Sequence, residues 1–153
     1  MEIKSIGLRF FSAYGPYGRP DMAYYLFTDS VNHGKEIYLN NKGDMMRDMT
    51  YIDDIVEGVI KSLNRINYDR SNEMHELFNL GNGQPIKTTN LLEAIQNKLE
   101  KSASITYTQS SNESKITHAD INKSKKILGY NPKISFEEGI ENFINWYKCY
   151  EKK

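Results

Sequence analysis

Residues 9–21, RFFSAYGPYGRPD, restrict the fold more than any other stretch of the chain. The apolar run SIGLRFF (5–11) reads as a mostly buried strand. It leads directly into a turn held by Gly15, Pro16, Gly18 and Pro20. Glycine reaches left-handed backbone that other residues avoid, and proline fixes φ, so such a turn has few conformations. Pro20 suits the first helical position, where its missing N–H costs nothing. Tyr24, Phe27 and Val31 then recur at helical spacing as far as Gly34, a helix-stop signal. A strand delivered into a helix through a rigid turn is the seed of a layered α/β chain.

The alternation continues to the C-terminus. EIYLN (36–40) reads as a strand, NKG as a hairpin turn and MMRDMTYI (45–52) as its partner. Asp53 is placed to cap a helix whose Ile55, Val59, Ile60 and Leu63 share a face. The polar segment NYDRSNEMHE crosses to ELFNLG, a short strand ending in a glycine turn. Thr88 or Thr89 then caps a helix running to about Leu99, and ITYT (105–108) is a weak strand. After the polar loop QSSNES comes a short helix, ADINKSKKIL, stopped by Gly129 with Pro132 beyond it. Ser135 and Glu138 form a capping box for a last helix striped by Ile140, Phe143, Ile144 and Tyr147. The class is mixed α/β, and 153 residues suit one domain spanning 1–153.

Twenty basic residues balance twenty acidic ones, with no basic block. Long-range attraction to nucleic acid is therefore absent, and any anion site must be local. The single Cys149 cannot form an internal disulfide. The start, MEIKSIGLRFF, lacks the apolar run of a secretory leader, and no stretch approaches a membrane span, which points to the cytoplasm. His33, His75 and His118 are scattered, without the spacing of a metal-ligand set, so no metal is expected. Gly81-Asn82-Gly83 lacks the third glycine of a dinucleotide fingerprint and reads as a plain turn.

Two arginines carry more. Arg19 lies in the rigid loop just before a helix, where a guanidinium fork and outward-pointing N–H groups suit an anion. Arg47 lies in MMRDMTYIDD, just before another helix start. Each has a structural alternative, which for Arg47 is an ion pair with Asp48, Asp53 or Asp54.

Taken together, RFFSAYGPYGRPD and MMRDMTYIDDIVEGVI resemble the extended short-chain dehydrogenase/reductase family, specifically its nucleotide-sugar epimerases and dehydratases. FNLGNG (78–83) and ADINKSKKILGYNPKISFEEGIENFINWY (119–147) resemble that family's later blocks, in the same order. The run GRPDMA (18–23) is most similar to UDP-glucuronate 4-epimerases. The resemblance implies the C-terminal substrate-binding part of a Rossmann-type enzyme, with residues 5–11 a late strand of a sheet whose N-terminal nucleotide-binding portion is absent. It implies that Ser12 and Arg19 approach a sugar carboxylate, that Arg47 contacts a UDP diphosphate and that Asn79 lies near the nucleotide-sugar pocket. EIYLN is implied to offer backbone groups to uracil.

The same resemblance implies what is lacking. The family's NAD-binding glycine loop and catalytic Tyr-x-x-x-Lys pair belong to the other half, so no catalytic residue is assigned and NAD is not expected to bind this chain alone. Tyr38 and Lys42 have the right spacing but fall on a strand and turn, where residues four apart do not meet. Residues 109–115, QSSNESK, replace a family Pro-Gly-Asp run, with Gln109 keeping the lead position. Several readings stay open. The chain is the sugar-binding half of a 4-epimerase, inactive without a separate N-terminal Rossmann half, or a non-catalytic nucleotide-sugar-binding module, or a truncation product. Another nucleotide-sugar epimerase or dehydratase is a further alternative.

Overall fold

The computed structural model describes residues 3–68, 75–109 and 114–152. In chain order the elements are β1 (Ser5–Phe10), β2 (Ser12–Tyr14), α1 (Ala23–His33), β3 (Glu36–Asn40), β4 (Met46–Tyr51), α2 (Ile52–Tyr68) and β5 (His75–Leu80). They continue as β6 (Pro85–Lys87), α3 (Thr88–Leu99), β7 (Ser104–Thr108), α4 (Asn122–Leu128) and α5 (Phe136–Tyr150). Parts of two polar segments, 69–74 and 110–113, lie outside the described residues.

Three small sheets result among the described residues. β1 pairs parallel with β5, and β3 pairs parallel with β7, while β4 lies between a parallel β2 and an antiparallel β6. The hairpin expected between β3 and β4 does not form. Asn41, Lys42 and Gly43 all have positive φ (51°, 57° and 74°) in a short 3₁₀ turn, and this bends the chain away instead of folding it back. Each strand instead meets a partner that is remote in sequence, as parallel pairing requires.

Among the described residues, two apolar cores follow from this topology. The larger packs α1, α3 and α5 on β2, β3 and β4 around Tyr24, Val31, Leu39, Ile95, Ile140 and Phe143. The stripe expected on α5 is its inner wall, with Ile140, Phe143, Ile144 and Tyr147 all buried. Each such side chain contributes about 1.5–3 kcal/mol of transfer free energy. The smaller core sets α2 and α4 against β5 through Ile55, Phe78, Leu80, Leu128 and Tyr130.

The helix ends differ in part from the sequence reading. Ser135 caps α5, its Oγ accepting from Glu138 N at 3.2 Å, and Gly34 and Gly129 close α1 and α4 with left-handed φ. α1, however, begins at Ala23 behind Met22, three residues after Pro20, because Met22 N first closes a turn onto Arg19 O. α2 follows β4 without a break, so Asp53 lies inside its first turn, where its charge favours the helix. Thr88 opens α3 but donates its hydroxyl to Met45 O (3.1 Å), leaving Lys87 as a cap with no side-chain bond.

Burial corrects two further expectations. β1 was expected mostly buried, yet only Ile6 and Leu8 pack inward while Phe10 is exposed, since among the described residues β1 has one strand partner, β5. On α2, Ile55 faces the core, whereas Val56, Val59, Ile60 and Leu63 form an apolar stripe open to solvent.

Candidate functional site: a cavity between two arginines

The β2–α1 loop and the ends of β1 and β2 enclose a cavity of about 660 Å³. Phe10, Phe11, Ala13 and Ile52 give it apolar walls, while Ser12, Arg19 and Thr117 give it polar ones. A smaller cavity of about 120 Å³ adjoins it and shares Ser12, Met22 and Tyr24. Arg47, Lys87 and Thr88 line this second space. Parallel pairing explains the juxtaposition. Ser12 is in register with Met49, and Arg47 sits two residues back on β4, so both project from the same sheet face.

The loop is held open by its backbone. A Cβ on Gly18 would fall 1.7 Å from the Tyr24 hydroxyl, so no other residue fits there. Gly18 N donates to Gly15 O at 3.3 Å, and Gly15 itself takes φ 143°. Arg19 emerges at the rim, largely exposed, and pairs with Asp21 through Nε–Oδ1 at 3.0 Å and a second Nη2–Oδ2 contact. That hydrogen bonding holds the Asp21 carboxyl below the usual range.

Arg47 is half-buried, and its Nη1 donates to Met46 O and Ser114 O, both at 2.9 Å. Two acids considered as its partners are occupied elsewhere. Asp48 turns inward and accepts from the backbone N–H groups of Asn82 (2.7 Å), Gly83 (3.0 Å) and Ala119 (2.8 Å). Asp54 accepts from Lys133 N and Ile134 N.

Of the four residues singled out in the sequence, three meet here: Ser12 in both cavities, Arg19 in the larger, Arg47 in the smaller. Asn79 lines neither cavity. Its Nδ2 donates to Asp120 O at 2.9 Å and its carbonyl accepts from Ser124 Oγ, so it fastens the start of α4 to β5. In the sequence neither Thr117 nor Lys87 is placed at a site, and Thr88 is expected only as a helix cap. Thr117 arrives through a bridge between Met46 and Ile116, a pairing with no local sequence signal. Tyr38 and Lys42 lie on β3 and in the turn after it, with the Tyr38 hydroxyl bound to Glu36.

The histidines are dispersed as in the sequence, but at one of them the fold gathers two carboxylates. Donor atoms of Asp29, His33 and Glu151 lie within 4.8 Å of one another. Lys35 Nζ binds Asp29 at 2.8 Å, Asn32 Nδ2 binds Glu151 at 2.7 Å and the Tyr147 hydroxyl contacts both carboxylates. This group is a network joining the ends of α1 and α5.

Residues 1–81 match the NAD dependent epimerase/dehydratase family. An uncharacterised protein of Methanocaldococcus jannaschii is 44% identical over 95% of this chain and 43% of its own length. UDP-glucuronate 4-epimerase 1 of Arabidopsis thaliana is 36% identical over 94% of this chain and 36% of its own. The crystal structure of UDP-glucuronic acid 4-epimerase from Bacillus cereus, in complex with UDP-glucuronic acid and NAD, superimposes with a TM-score of 0.84 at 30% identity. That match covers 94% of this chain and 45% of the other. The chain thus spans less than half the length of each of these relatives.

Proposed function

Since the chain belongs to the NAD-dependent epimerase/dehydratase family, within the extended short-chain dehydrogenases/reductases, we propose that it is the nucleotide-sugar-binding half of a UDP-glucuronate 4-epimerase. Arg19 and Ser12 receive the sugar carboxylate, Arg47 receives the UDP diphosphate, and Asn79 acts indirectly by holding the segment beside the pocket. The observation that carries this reading is the pair of adjoining cavities, joined at Ser12, with one arginine in each. A nucleotide-sugar acid has two anionic groups separated by a sugar ring, and two separated guanidinium groups suit it.

Hydride chemistry belongs to NAD, and this chain's glycine turn does not fit that cofactor's pyrophosphate. The one Gly-x-Gly turn, at 81–83, already commits the N–H groups of Asn82 and Gly83 to Asp48, leaving none for a pyrophosphate. The exposed α2 stripe and the open side of β1 suit instead a separate NAD-binding half, working in the cytoplasm. Covering Val56, Val59, Ile60 and Leu63, already about half buried, would supply part of the about 1.5–3 kcal/mol that full burial of each side chain contributes.

Calorimetry on the purified chain tests the reading. UDP-glucuronate is expected to bind, Arg47→Ala to weaken UDP and UDP-glucuronate alike, and Arg19→Ala to weaken UDP-glucuronate alone. A charge-assisted hydrogen bond contributes about 1.5–3 kcal/mol, so each loss should be about tenfold or more. Chromatography of the two C4 epimers should show no turnover with NAD added. Turnover by the chain alone, or unaltered binding in Arg47→Ala, would overturn the proposal.

A further inference from the structure

One residue of the β2–α1 loop has no part in the ligand contacts just described. Tyr17 is 83% exposed, yet its backbone adopts φ 59°, a left-handed conformation unfavourable for any residue with a Cβ. Its ring lies 5.1 Å from that of Trp146 on α5, tilted by 58°. Trp146 is the chain's single tryptophan and cannot follow the loop if it moves. Tyr150 stacks on Trp146 at 5.0 Å, and Phe143, fully buried, lies 5.7 Å from it.

Tyr17 thus contacts Trp146 of α5 and also lines the 660 Å³ cavity, together with Arg19 two residues along. Arg19 has an alternative partner, Asp21, within its own loop. Whether its fork faces Asp21 or a ligand carboxylate depends on how the loop is set, and recognition of that kind is lost with misplacements of about 1 Å.

We propose that Tyr17 and Trp146 are positioning residues for Arg19, clasping the loop to α5 so that the C-terminal helix sets the preference for an acidic sugar. This deepens the nucleotide-sugar reading and rests on it. Two measurements separate the ideas. Hydrogen exchange of residues 15–22 needs no ligand: exchange should quicken in Trp146→Ala and Tyr17→Ala and stay near wild type in Trp146→Phe. Calorimetry with both UDP-glucuronate and UDP-glucose then reads selectivity. The ratio of the two affinities should fall about tenfold in Trp146→Ala and Tyr17→Ala, through UDP-glucuronate alone, and recover in Trp146→Phe. Because Tyr17 is exposed, Tyr17→Ala keeps the test valid if Trp146→Ala unfolds. Unchanged loop exchange, or equal weakening of both ligands, would overturn the proposal. A wild-type chain that binds neither ligand would overturn the sugar-acid reading and the selectivity with it, while the exchange arm still decides the clasp.

Discussion

Asp48 and Arg47 show how adjacent residues on a strand divide between two tasks. Successive side chains on β4 point to opposite faces, so Arg47 reaches the cavity while Asp48 is fully buried. Its carboxylate gathers three backbone N–H donors, from Asn82, Gly83 and Ala119, and so fastens two loops to the sheet. Removing an acceptor leaves buried donors unsatisfied at about 1–3 kcal/mol each before relaxation. We expect Asp48→Ala to lower stability by about 3 kcal/mol in urea melts, and Asp48→Asn, which keeps one oxygen, to lose less. Nothing local marked Asp48 for this role. Its donors lie 34, 35 and 71 residues away, and proximity in sequence suggested Arg47 as its partner instead.

At the scale of elements, the ends of α1 and α5 are tied by a polar knot. The Tyr147 hydroxyl contacts Asp29 at 3.0 Å and Glu151 at 2.7 Å, and Lys35 binds Asp29 from the other side. Partial burial raises the Asp29 pKa, but the hydrogen bonds from Lys35 and Tyr147 outweigh it and leave the carboxyl below its ordinary value. A depressed folded-state pKa adds stability above the unfolded value, about 3.9, and loses it as pH falls through the folded value. Melting temperature should therefore drop as pH is lowered from about 5 to 3, and Asp29→Asn should flatten that slope. An unchanged slope in the variant would assign the acid sensitivity elsewhere. The caps of these elements were legible where the signal is self-contained, as at Ser135, Gly34 and Gly129. They were misread at Asp53 and Thr88, where β4 runs directly into α2 and Met45 captures the threonine hydroxyl.

Across the whole molecule, Tyr14, Tyr130 and Tyr147 sit in the two cores with pKa values pushed well above the ordinary tyrosine. Burial is the first cause for each, reinforced by Tyr51 at Tyr14, by Asp54 at Tyr130 and by hydrogen bonds to Glu151 and Asp29 at Tyr147. A raised folded-state pKa leaves stability intact below the unfolded value of about 10 and removes it as pH rises through the folded values. Urea midpoints should hold to about pH 9 and decline above 10. Absorbance at 295 nm should show these three hydroxyls ionising only with unfolding. Ionisation of all eleven tyrosines in the folded chain would contradict the packing described.

The sequence by itself determined the alternation of strands and helices, the apolar stripe of α5, the rigid glycine–proline loop and the two candidate anion-binding residues Arg19 and Arg47. Those signals are local, carried by periodicity, by φ restriction and by the donor chemistry of each side chain. Only the tertiary structure decided that β3 pairs with β7 instead of β4, that the α2 stripe faces solvent, and that Asn79 fastens α4 outside the cavities. It also decided that Ser12 sits where the two arginine cavities meet. Parallel pairing joins residues tens of positions apart, and no short-range pattern records which remote strand will arrive.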